Sequence, residues 1–177
     1  MKTKDIPSYT RNGNYDVDIS LAYLLKALQG YIKDYGLEMS PDFQRAHVWT
    51  EKQQIKYVEH ILKGGESARV MYFNCPDWHG SANKGNMVLV DGKQRIEALR
   101  RFLENEIPAF GTLLKDFEDN ERILRNISCR VKFNINDLRT RAEVLQWYID
   151  MNAGGIAHTK EEIAKVEKLL EKEKEND

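Results

Sequence analysis

Between residues 87 and 103 the chain changes its hydrophobic period across one short turn. Met87–Val90 is an apolar, β-branched run that stops at Asp91-Gly92, and Ile96, Leu99, Phe102 and Leu103 then recur at helical spacing. The segment therefore reads as strand, tight turn, helix. A helix start presents unpaired N–H groups and a partial positive charge, and a glycine just before it lets an anion approach the backbone. Lys93 adds a mobile cation to the same place and Arg95 a forked one, so Asp91-Gly92-Lys93-Gln94-Arg95 is a candidate phosphate cradle. The competing reading makes Asp91 and Gln94 a simple Asp-x-x-Gln helix cap with both cations solvated. Composition alone favours the cap, since the pattern is neither a Walker loop nor G-x-G-x-x-G.

The flanking sequence supplies further elements. Leu21, Leu24, Leu25, Leu28 and Ile32 predict a helix within 16–35, with Asp18 or Ser20 as its N-cap. Leu37–Ser40 is expected to be extended, because Pro41 pushes Ser40 away from helical geometry, and to lead into a loop carrying Gln44, Arg45 and Trp49. Thr50 and Gln53 fit a capping box that opens a helix over about 51–63, closed by Gly64-Gly65. Arg69–Asn74 is a β-rich run expected beside 87–90, joined by a Gly/Asn-rich loop. A short helix around 112–125, a strand over Ser128–Phe133 and a helix over Asn136–Met151 follow. Thr159 and Glu162 form a second capping box before a last helix. Residues 1–167 read as one domain, and the charged stretch 168–177 as a solvated, partly frayed tail.

With 177 residues the chain is long enough for one core and short for two. No run approaches the roughly 18 apolar residues of a membrane span, and no secretory leader precedes the first helix, so no membrane association and a cytoplasmic location are expected. Cys75 and Cys129 lack metal or disulfide spacing. His60 and His79 have no ligand partners at metal spacing. A net charge of −1 argues against non-specific coating of DNA, so any nucleic-acid contact must come from local clustering. Nucleophile elbows, zinc helices and EF-hand loops are missing from the sequence, which counts against the commoner hydrolase and metalloprotein classes.

Two further segments carry chemistry-bearing residues. In Pro41–Trp49, Arg45 offers a phosphate clamp and Gln44 an amide able to orient water, although Phe43 and Trp49 equally suit a packed entry loop. In Met151-Asn152-Ala153-Gly154-Gly155 the glycines permit close approach of a ligand, but they also simply end a helix.

In order and spacing, FQRAHVW, VLVDGKQRIEALRRF and WYIDMNAGGIAHTKEEI resemble the Q-R-x-x-x-W, D-G-x-Q-R and F-x-x-x-N-x-G-G segments of the N-terminal domain family of GmrSD restriction systems, over roughly residues 37–165. The resemblance implies an α+β fold of the ParB and sulfiredoxin kind, a small mixed sheet with surrounding helices, that binds and hydrolyses a nucleoside triphosphate with Mg2+. It implies that Gly92, Lys93, Gln94 and Arg95 cradle phosphates, that Asp91 holds the metal or positions a water, that Gln44 and Arg45 close the site, and that Asn152 lies at the same cleft. Tyr148, His158 and Thr159 depart from the family pattern in the last segment. The chain ends soon after residue 165, where such enzymes carry a nuclease domain, so cleavage of DNA by this chain alone is not expected. The implied setting is DNA modification, restriction or phage biology, with DNA and a nuclease or other protein as partners. Homodimerisation stays open, because ParB-like domains often use nucleotide to control association. Two alternatives stand beside this reading. One is a kinase using Asp91 or Glu97 as base. The other is a DNA-binding module using Lys93, Arg95, Arg100 and Arg101.

Overall fold

The computed structural model describes residues 9, 14–44, 49–78, 86–152 and 160–176. Among them, four short strands, β1 (Tyr15–Ile19), β2 (Val70–Asn74), β3 (Val88–Asp91) and β4 (Val131–Asn136), form one mixed sheet in the order β1-β4-β2-β3. β1 and β4 are antiparallel, β4 and β2 parallel, and β2 and β3 antiparallel. Among the described residues six helices surround it: α1 (Leu21–Tyr35), α2 (Glu51–Leu62), α3 (Lys93–Leu103), α4 (Asn120–Arg125), α5 (Arg141–Asn152) and α6 (Lys160–Asn176). The fold class is α+β, as the resemblance implies.

Alternating side chains divide the sheet between two cores. Met71, Phe73, Leu89, Phe133 and Ile135 join Leu24, Val58, Ile61, Leu99 and Phe102 in the core shared with α1, α2 and α3. On the other face Val90, with Tyr72 and Val88 beside it, packs against Val144, Leu145, Tyr148, Val166 and Leu170 of α5 and α6. Side chains of this size contribute about 1.5–3 kcal/mol each when fully buried, so both faces hold the sheet.

Several boundaries differ from the sequence expectations, each for a local reason. The expected helix over 16–35 begins only at Leu21; Tyr15–Ile19 pairs with β4 as an edge strand, in which Val17 and Ile19 alternate with exposed Asp16 and Asp18. Ser20 is the N-cap of α1 but makes no side-chain capping bond. Leu37–Ser40 contributes a single bridge, Glu38 to Val88, rather than a strand. The 112–125 region holds a 3-10 turn at Leu114–Asp116 followed by α4. β4 starts three residues later than expected because 127–129 is a 3-10 turn. α5 begins at Arg141, where the Thr140 and Glu143 side chains accept from each other's backbone N–H at 2.9 and 3.2 Å. The box at Thr50 and Gln53 is present as expected.

The expected frayed tail is helical instead. α6 continues to Asn176 because Val166 and Leu170 extend one apolar stripe onto α5, and the Arg141 Nε reaches Glu173 at 3.1 Å. The side chains of the expected capping pair Thr159 and Glu162 lie outside the described residues. Cys75 and Cys129 are buried and not bridged to each other. Among the described residues, no helix is long and apolar enough to cross a membrane.

Two measurements test this packing. Leu170→Ala should lower stability by about 2 kcal/mol in urea unfolding, whereas a frayed tail would leave it unchanged. Burial, with Tyr15 and Tyr35 nearby, pushes the Tyr31 hydroxyl from its ordinary 10.0 up to about 12. Because the folded state holds this proton more tightly, the contribution is complete below the ordinary value and is lost as pH rises through the raised one. The unfolding midpoint should fall on going from about pH 9 to about pH 11.5, and fall less in Tyr31→Phe.

Candidate functional site

The turn from β3 into α3 is built on Gly92, which caps the helix with φ 117° and ψ 3° and brings no side-chain cap. A Cβ there would stand 3.0 Å from the Met71 Sδ and 3.2 Å from its Cβ. Glycine is thus required twice, for the left-handed backbone and for the close approach of β2. Just upstream, Tyr72 opposes Asp91 while Phe73 opposes Leu89, so β3 carries an extra residue against β2. Such a bulge re-aims the side chain at its end, here Asp91.

Arg95 does not project into solvent. Its Nη2 donates to Asp91 Oδ2 at 2.5 Å, and its Nη1 donates to the Val70 carbonyl at 2.7 Å and to the Ala68 carbonyl at 3.5 Å. The Arg95 side chain is 14% exposed and that of Asp91 42%. The fork expected to hold phosphate therefore fixes Asp91 to the start of β2, and Asp91 Oδ1 has no partner among the described residues. Lys93, half-buried in the first turn of α3, also has no described partner, which leaves its ammonium available. Without an acidic residue in that first turn, the N–H groups of α3 keep their partial positive charge.

Gln94 does not form the Asp-x-x-Gln cap. Its Oε1 accepts from the Trp49 N–H at 3.1 Å and the residue is buried. Gln44 makes the reciprocal tie, donating from Nε2 to the Leu89 carbonyl at 2.6 Å. These amides clamp the two ends of the Pro41–Trp49 loop to β3 and α3. The Gln44 Oε1 is buried and lacks a partner among the described residues, so it is positioned to accept from a donor entering this corner.

Gln44, Asp91, Gly92, Lys93, Gln94 and Tyr148 meet around a pocket of about 40 Å³. That volume is on the order of one or two waters, and suits one small group rather than a whole nucleotide. Tyr148, which departs from the family pattern in the third segment, is held against Phe43 with ring centroids 5.3 Å apart and lines the pocket from α5. Asn152 lies a turn further along α5, where its Nδ2 donates to the Tyr148 carbonyl at 2.7 Å and it does not line this pocket. Arg45 lies outside the described residues.

The residues proposed for other chemistries are engaged elsewhere. Glu97 accepts twice from Arg100, at 2.8 and 2.9 Å, and Arg100 also pairs with Glu104 and Glu106. Arg101 binds Glu51 at 3.0 Å and Glu106 at 3.1 Å. Of the four cations expected to make a basic face on α3, Arg95, Arg100 and Arg101 are thereby paired with carboxylates, and Lys93 is not. Among the described residues there is no group of three or more His, Cys, Asp and Glu arranged to hold a metal. A magnesium ion at Asp91 would draw its remaining ligands from phosphate and water, as Mg2+ commonly does.

Comparison with protein families matches residues 24–168, most of the chain, to a model described as GmrSD restriction endonuclease, N-terminal domain. Comparison with curated proteins and with solved structures finds no match.

Arg95→Ala should destabilise the protein by about 1–3 kcal/mol in urea unfolding, because a largely buried charged hydrogen-bonding group is removed and the Val70 carbonyl loses its donor. Gly92→Ala should cost a similar amount, about 1–3 kcal/mol, by strain at positive φ and by the clash with Met71. Loss of ligand binding without loss of stability in Arg95→Ala would show that the guanidinium faces ligand instead.

Proposed function

This chain belongs to the GmrSD restriction endonuclease N-terminal domain family, which gives it a role in a restriction-type system, and from that premise we propose that it binds and hydrolyses a nucleoside triphosphate at the β3–α3 turn. The observation that carries the reading is convergence. Gln44, Asp91–Gln94 and Tyr148 come from three distant segments and share one pocket at the uncapped start of a helix.

In this reading the first-turn N–H groups of α3 and the Lys93 ammonium receive the phosphate chain, where a helix start and a point cation reinforce each other. Asp91, held by Arg95 with Oδ1 left over, would hold a magnesium ion or orient the attacking water. Mg2+ supplies charge neutralisation at the phosphates. Gln44 covers the pocket and offers an acceptor to the water or to a phosphate-linked hydroxyl. Arg95 is a positioning residue, and Gln94 keeps the covering loop in place. Hydrolysis then serves as a timing or licensing step for a nuclease partner acting on DNA. A DNA-binding role without turnover draws less support, since Arg100 and Arg101 are already paired with carboxylates.

Lys93→Ala is a cleaner probe than Arg95→Ala, because Lys93 is tied to no described residue and its removal leaves the turn intact. Calorimetry with the four nucleoside triphosphates, with and without Mg2+, should show binding by the wild type that weakens about 10- to 100-fold in Lys93→Ala, the worth of a charge-assisted contact. Asp91→Asn should abolish the Mg2+ dependence and the release of phosphate. Failure of the wild type to bind any triphosphate, or binding indifferent to Lys93, would overturn the reading.

A further inference from the structure

A second hollow, about 350 Å³, opens beside the phosphate pocket, between β3, the turn at Pro41–Phe43 and the first half of α5. Its volume lies in the range of ligand pockets, on the order of 300–1,000 Å³. Phe43, Val88, Leu138 and Val144 give it an apolar floor. Its wall is rigid: Asn74, 1% exposed, donates to the Leu138 carbonyl at 3.0 Å and accepts from the Leu138 N–H at 2.8 Å.

The two hollows are lined by the same elements at neighbouring positions. Val88 lines one and Val90 the other, two residues apart on β3; Val144 and Tyr148 are one turn apart on α5; Phe43 is followed by Gln44. Two strand residues or one helical turn span about 5–7 Å, so the two hollows lie within reach of one extended molecule that passes the stacked rings of Phe43 and Tyr148.

Their electrostatics differ in kind. At the smaller pocket Lys93 and the helix start favour an anion. At the larger one both cations of the rim are already paired, Arg139 with Asp77 at 3.2 Å and Arg141 with Asp42 at 2.7 Å and Glu173 at 3.1 Å. The backbone of Glu38, also on the rim, pairs with Met87 and Leu89, while its carboxylate has no partner among the described residues and, when ionised, can only accept. A hollow with an apolar floor, paired cations and acceptors at Glu38, Asn86 and Thr140 suits a flat, uncharged group that carries N–H donors.

We propose that this hollow seats the base and sugar of the nucleotide whose phosphates lie at Gly92–Lys93, an inference that rests on the nucleotide reading above. The base lies over Phe43, Val88, Leu138 and Val144 and presents its N–H groups to Glu38.

The test compares nucleoside triphosphates with inorganic triphosphate by calorimetry on the wild type, Val144→Trp and Lys93→Ala, with thermal melts as a control on folding. The wild type should bind the preferred nucleotide at least tenfold more tightly than inorganic triphosphate. Val144→Trp, which fills the hollow, should lose that advantage and keep its affinity for inorganic triphosphate, while Lys93→Ala should weaken both. Methyl NMR on the wild type decides the matter even if Val144→Trp melts early: the Val88, Leu138 and Val144 methyls should shift on adding nucleotide and stay in place on adding inorganic triphosphate. Nucleotide binding that leaves those methyls unmoved, or that is no tighter than inorganic triphosphate, would overturn this seat while the phosphate site stands. Failure of the wild type to bind either probe would overturn the phosphate site and this seat together.

Discussion

The contact between Gly92 and Met71 sets the distance between the start of α3 and the middle of the sheet. With Sδ and Cβ of Met71 at 3.0 and 3.2 Å from where a side chain would begin, helix and strand are closer than a residue with a Cβ would comfortably allow. Everything at the candidate site depends on that closeness. It brings Arg95, one turn into the helix, within reach of the carbonyl of Val70 on β2, and it places Asp91 at the other end of the same guanidinium. The acid at the mouth of the pocket is therefore oriented by the sheet, through an arginine that is itself held on three sides.

A division of labour follows within Asp91–Arg95. Gly92 and Arg95 assemble the turn, Gln94 holds the neighbouring loop, and Asp91 and Lys93 keep atoms available for another molecule. Adjacent residues alternate between building and presenting because successive positions of a first helical turn face different neighbours. A short motif can in this way be rich in charge and still expose little of it.

Much of this was readable in the sequence. The change of period at Asp91-Gly92 marks a strand entering a helix, Thr50 and Gln53 mark the start of α2, and three ordered segments mark the family. What was not readable depends on distant partners. Arg95 finds its acceptor 25 residues away and Gln94 finds its donor 45 residues away, and no local rule distinguishes a cation that meets a carbonyl from one that meets an anion. β1 was missed because five alternating residues, two of them aspartates, adjoin a stronger helical stripe and gain their strand character from β4. The helical end of α6 was missed because its charges outnumber the leucines that hold it.

The bond from the Trp49 N–H to Gln94 joins more than a loop to a helix. Trp49 stands immediately before Thr50, whose side chain caps α2, and its ring rests against Tyr57 on the same helix. Two helix beginnings thus share one hinge pin. A tilt of α3 at its first turn must either carry the head of α2 along or break that bond. The α2 surface is the face on which such a tilt would become visible to another molecule.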